Sequence, residues 1–205
     1  MTALTLLHTA ETHRAAFDVL RDRIAPGAAL THLVRTDWLV RAQGGVDDAL
    51  QSEMAKAVAA AHGPVICTCT TLGPAAAALG AIRIDQPMMA EAAQIGGPIV
   101  MAYCLDSTLD PSRKLLEAEL AARGTDTVVH PLQMRALWPL FEAGERAAFA
   151  SGIAAEIRQA VARLDAVACV VLAQASMADA AGLLDDLGVP VLASPERALR
   201  AALAR

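Results

Sequence analysis

The stretch Pro64-Val65-Ile66-Cys67-Thr68-Cys69-Thr70-Thr71-Leu72-Gly73-Pro74 decides the fold, followed as it is by Ala75-Ala76-Ala77-Ala78. An apolar run reads as a buried strand, the small polar residues as a turn, and Gly-Pro-Ala as the start of a helix over 73–78. Residues 168–183 (ACVVLAQASMADAAGL) repeat the design: apolar strand, small polar turn, Ala-rich helix. Each turn offers hydroxyls and unpaired backbone N–H groups at a helix mouth, an arrangement that suits an anion.

Outward from these stretches, strands and helices alternate along the chain. Strands are expected at 4–7, 30–34, 65–68, 99–104, 127–130, 167–173 and 189–192. Helices are expected at 11–24, 47–61, 73–78, from near Pro111, 144–164, 177–187 and 195–205. Alternation with short connections means parallel sheets covered by helices, an α/β fold. The core must come from small aliphatic residues, because 55% of the 205 residues are hydrophobic and only 3% aromatic. In such sheets ligands gather beyond the carboxyl ends of the strands. The residues found there are His8, Thr9, Asp37, Cys69, Thr70, Thr71, Ser107, Thr108, His130, Gln174, Ala175 and Ser176.

Composition narrows the partners. A net charge of −5 and scattered basic residues exclude a nucleic-acid surface. No apolar run approaches the roughly 18 residues of a membrane span. The start MTALTLLHTAETH has no basic segment of a signal peptide, so the cytoplasm is the expected compartment. The four cysteines (Cys67, Cys69, Cys104, Cys169) are expected as free thiols in apolar surroundings. Cys67 and Cys69 do not make a zinc clip, which needs four ligands, nor a disulfide in a reducing compartment. Cys69 is the candidate functional thiol. It lies at a helix mouth, whose N–H groups are expected to pull its pKa below the usual ~8.5. Asp37 is expected to cap or to pair with Arg35, Arg83 and Asp85 to form a structural ion pair, and Trp38 and Trp138 to anchor the core.

Cys69-Thr70-Thr71 at its strand end resembles the first cysteine motif of the aspartate/glutamate racemase superfamily. That group includes hydantoin racemases, maleate isomerases and arylmalonate decarboxylases. Residues 170–178 are similar to its second motif, and 99–112 (IVMAYCLDSTLDPS) to its carboxylate-binding segment. The N-terminal LLHTAET and the Gly44-Gly45 pair fit as well. The resemblance implies two pseudo-symmetric lobes, 1–95 plus 180–205 and 96–179, with an active-site cleft between them. It also implies a cofactor-independent racemase or isomerase for a small carboxylate or amino acid, with no metal, and a homo-oligomer. Cys69 would be the thiolate base or nucleophile. His8, Thr70, Thr71, Ser107, Thr108, Gln174, Ala175 and Ser176 would bind substrate. Gln174 stands where such enzymes carry a second cysteine, and neither it nor Ser176 is acidic enough to replace a thiol. A single-cysteine decarboxylase and a non-catalytic carboxylate-binding protein are the alternatives.

Overall fold

A computed structural model describes residues 3–204. Met1, Thr2 and Arg205, where the expected first lobe and closing helix end, lie outside the described residues. The chain forms two units: residues up to Gln86 together with the segment from Pro195, and Pro87–Ser194.

The first unit runs β1 (Ala3–His8), α1 (Thr12–Ile24), β2 (Ala29–Val34), α2 (Thr36–Ala42), α3 (Asp48–Ala59), β3 (Val65–Cys67), α4 (Gly73–Ala78) and β4 (Ile82–Arg83). Its sheet is parallel in the order β2-β1-β3-β4. β3 is buried throughout, as a central strand with both faces covered must be. The register sets Leu7 beside Cys67 and Cys67 beside Arg83, so His8, Thr68–Thr71 and Asp85 leave the same edge. Gly63, at φ +79°, brings the chain against β1: a Cβ there would strike the Ala3 carbonyl. The Asp47 carboxylate accepts the Leu50 N–H at 2.7 Å and caps α3. Trp38, Leu50, Met54, Leu72 and Ala76 form the core on one side of this sheet.

The second unit runs α5 (Gln86–Ile95, its first residue belonging to the first unit), β5 (Ile99–Tyr103), α6 (Asp106–Ala121), β6 (Val129–Gln133), α7 (Trp138–Glu142), α8 (Arg146–Arg163), β7 (Cys169–Leu172) and β8 (Val191–Ala193). Its order is β6-β5-β7-β8, again all parallel. Counted within each unit, both sheets have the order second, first, third, fourth. α8 packs Phe149, Ile153 and Ile157 against one face; Met88, Met89, Leu116 and Leu120 cover the other. α9 (Ser194–Leu203) closes the first unit, where Glu196 meets Arg23 at 2.7 Å.

Several expectations change. The unit boundaries fall at 86 and 194, not at 95 and 180. β8 pairs with β7, and Met88, Met89, Ala92 and Ala93 of α5 pack with Ile99 and Val171. α6 starts at Asp106, and Pro111 lies inside it rather than opening it. The expected helix over 177–187 is a 3-10 stretch, Ala175–Leu184. Eclipsed i, i+3 neighbours are tolerated there because Ala175, Ala178 and Ala181 are small. No helix among the described residues is long and apolar enough to cross a membrane.

Candidate functional site

In the first unit, β3 stops at Cys67 and Thr68 still pairs with β1, its N–H donating to the Leu7 carbonyl at 2.9 Å. Strand alternation then sends Cys67 and Cys69 to one side and Thr68 to the other. Cys67 and Cys69 join the Trp38 core, whereas the Thr68 hydroxyl meets His8. The Cys67 thiol donates weakly to the Cys69 carbonyl at 3.5 Å, and burial holds its pKa far above the ordinary thiol value. Cys67 is therefore a core residue, as the alternation requires.

Cys69 is 7% exposed. Four donors converge on its sulfur: the Thr9 hydroxyl, the Thr71 hydroxyl, and the backbone N–H groups of Thr71 and Leu72. These favour the thiolate, but burial pushes the thiol up by more than they bring it down. This corrects the expectation of a lowered pKa, because the cost of burying the anion exceeds what the helix-mouth donors return. The resting residue is a thiol in a nest already built for its anion. Thr70 is buried, and its carbonyl accepts the Gly73 N–H at 3.1 Å, which shapes the turn. Thr9, expected at a strand end but not among the substrate binders, is a donor to the thiol.

His8 is 1% exposed, and both ring nitrogens have internal partners: Thr68 Oγ1 at 2.8 Å and His32 Nδ1 at 2.8 Å. Burial, with His13, His32 and Arg14 nearby, lowers its pKa from 6.5 to about 3. The unfolded chain thus takes up a proton below about 6.5 that folded His8 refuses until about 3. The stability tied to this neutral ring is complete above that window and is lost as pH falls through it, by up to about 1.4 kcal/mol per pH unit. Urea unfolding of His8→Gln should accordingly show a shallower loss between pH 6.5 and 4.5 than the parent chain. Parallel losses would mean that His8 accepts the proton in the folded state.

In the second unit, Gln174 stands two residues beyond the third strand of its sheet, as Cys69 does in the first. Its Oε1 accepts the backbone N–H groups of Cys104 at 2.6 Å and Leu105 at 2.9 Å, at the mouth of α6. With the oxygen so held, the Nε2 end is the donor end. Ser107 and Thr108 lie in the first turn of α6, Thr108 buried with its N–H on the Leu105 carbonyl at 2.9 Å. Ala175 and Ser176 open the 3-10 stretch, and Ser176 Oγ is buried without a hydrogen-bond partner. Gln174, Ser107 and Thr108 are therefore neighbours at one sheet edge.

The other candidates are structural. Asp37 lies 3.7 Å from Arg41, one turn on, and not against Arg35, which sits over the Trp38 ring. His130 is within β6, beside Val100. Burial pushes the thiols of Cys104 and Cys169 up to about 12 and about 11. Among the described residues no group of three or more His, Cys, Asp or Glu is placed to hold a metal ion.

No protein-family model and no curated protein matches the sequence. Solved structures do match the fold. A glutamate racemase from Bacillus anthracis superposes with a TM-score of 0.73 at 17% identity, over 99% of this chain and 80% of that one. Allantoin racemase from Klebsiella pneumoniae gives 0.68 at 17%, over 100% and 87%. A double mutant of arylmalonate decarboxylase gives 0.60 at 14%, over 100% and 92%. The two-lobed α/β architecture is thus the one these racemases and this decarboxylase share.

Proposed function

We propose that this chain is a cofactor-independent enzyme of the racemase kind, moving a proton at the carbon beside the carboxylate of a small acid or amino acid. The observation that carries this reading is the nest of four donors on Cys69. A buried thiol that only filled space would need no donors arranged around its anion. Donors placed on a developing negative charge lower the barrier to proton transfer. The fold shared with enzymes named for racemizing allantoin and glutamate, and with a decarboxylase of arylmalonates, supports the same class of chemistry.

In this reading Cys69 is the proton carrier. As thiolate, held by Thr9, Thr71 and Leu72, it takes the proton from the carbon; as thiol it returns one. In the first unit Thr70 is a further donor for the carboxylate; in the second, the Gln174 Nε2 end with Ser107 and Thr108 is a donor group suited to a carboxylate, with Ala175 and Ser176 beside it. His8 holds the Thr68 hydroxyl on the strand face opposite the thiol, and both of its nitrogens are taken. Gln174 occupies the post corresponding to Cys69 and has no exchangeable acid, so proton return is one-sided. The protonated resting state of Cys69 favours a second version, in which substrate carboxylate is lost as carbon dioxide and the thiol protonates the carbanion.

The test is incubation in deuterated water with chiral carboxylates, amino acids and substituted malonates, following deuterium at the α-carbon, optical rotation and carbon dioxide together. Exchange with retention, or decarboxylation to one enantiomer, is expected. Gln174→Cys places a second thiol at the corresponding post of the other unit, and inversion in place of retention is the outcome expected of it. Binding with neither exchange nor carbon dioxide release on any member would instead mark a carboxylate-binding protein.

A further inference from the structure

Behind Cys69 runs a line of polar groups that the proton chemistry above does not use. Asp18 on α1 is 42% exposed at its side chain, and its Oδ1 lies 3.2 Å from His32 Nε2. His32, 6% exposed, places Nδ1 2.8 Å from His8 Nε2. His8 Nδ1 lies 2.8 Å from Thr68 Oγ1, and that hydroxyl also reaches the Leu7 carbonyl at 2.9 Å. The line passes from a solvent-facing carboxylate to the residue peptide-bonded to Cys69.

Counting protons along it leaves two arrangements. An ionised carboxylate only accepts, so His32 Nε2 carries hydrogen in both. With His32 neutral, its Nδ1 accepts, His8 Nε2–H donates, and the bare His8 Nδ1 takes the Thr68 hydroxyl. With one more proton, His32 Nδ1–H donates and His8 Nε2 accepts. The hydrogen that His8 held at Nε2 is now on His32, where the added charge rests, and His8 Nδ1 takes its hydrogen by exchange with water in a local opening. His8 Nδ1–H then donates to Thr68 Oγ1, and the Thr68 hydroxyl turns to the Leu7 carbonyl. Both of its acceptors already lie within hydrogen-bond distance, so the turn needs no movement of heavy atoms. His8 stays neutral in each arrangement.

We propose that Asp18, His32 and His8 form a proton-driven relay, in which a proton taken up at His32 reverses the hydrogen bond between His8 and Thr68. The surrounding charges direct that proton outward. His13 and Arg14 of α1 oppose a cation on His8. Asp18 offers a counter-charge to His32, moderated by Arg21 at 3.5 Å, itself paired with Asp22. From β3 the line meets the Thr68 hydroxyl, which carries no charge. Asp18 and His32 are thus positioning residues acting through His8. The relay lies wholly within the first unit and stands whether or not the chain turns over a carboxylate.

Imidazole nitrogen NMR of the uniformly 15N-labelled chain between pH 5 and 9 tests this without an activity assay. The expected result is His8 as the Nε2–H tautomer at high pH and the Nδ1–H tautomer at low pH, switching with the same midpoint as His32 protonation. In Asp18→Asn the switch should move to lower pH, and in His32→Leu it should vanish. The parent chain decides alone if a variant fails to fold. One His8 tautomer throughout, a switch at a midpoint unrelated to His32, or doubly protonated His8 in this range would overturn the relay.

Discussion

Replacing Cys69 by serine should lower α-carbon exchange or decarboxylation by about 10²–10⁴-fold, the span usual for loss of a general acid–base group. A hydroxyl is smaller than the thiol and can accept from two of the same donors, so circular dichroism and urea unfolding should change little. Its acidity lies too far from neutrality to exchange a proton with carbon. Cys67→Ser is the internal control. It puts a hydroxyl into the Trp38 core, which should reduce stability while leaving exchange within a few-fold of the parent. Rates for Cys69→Ser equal to the parent would remove the thiol from the mechanism, whatever the fold suggests.

The largest expected stability effect lies at Asp85. Its carboxylate is fully buried and receives Arg83 Nε at 2.9 Å and Nη2 at 2.7 Å, a two-point pair of nearly ideal geometry. Arg83 is wedged against α4: a Cβ at Gly73 would approach its Nε to 3.0 Å. The guanidinium thus packs closely on Gly73, at the start of the helix that follows the Cys69 turn. Asp85→Ala removes one partner of this buried pair, a loss that costs about 3–5 kcal/mol. For a chain of this size that is a fall in Tm of about 6–20 °C, read by calorimetry. The double replacement Arg83→Met with Asp85→Leu should recover most of the loss, because no uncompensated charge is left. A change below about 1 kcal/mol in Asp85→Ala would mean that water reaches Arg83 after all.

Local patterns revealed what local physics determines. Val65–Cys67, Ile99–Tyr103 and Cys169–Leu172 announce themselves as unbroken apolar runs because central parallel strands are buried on both faces. α4 begins at Gly73, where it was expected to start, because Pro74 fixes the first turn. Pro111 misled for the same reason: proline is a start signal, yet here the helix begins five residues earlier, with Asp106 in its first turn. β4 is two residues long and α2 seven, too short for any periodicity to register. Cys69 was legible as a thiol at a strand end. That burial would outweigh its donors was not, because the walls come from Trp38, Leu50 and Met54, far off in sequence. The Thr9 donor, the grip of Gln174 on Cys104, and the His8–His32–Asp18 line each join residues 14 to 70 positions apart. Only the stacking of parallel strands brings such residues to a common edge.

The return of α9 to the first unit has a consequence for synthesis. On the ribosome the first unit emerges first, but the helix that carries Glu196 to Arg23 is made only after Pro87–Ser194 is complete. The later-made unit is contiguous, and it has all four strands and α8 in hand before its elder neighbour has its last helix. The order of completion is therefore the reverse of the order of starting: the half made second is the first to have its strands together, and the half bearing Cys69 gains α9 only afterwards.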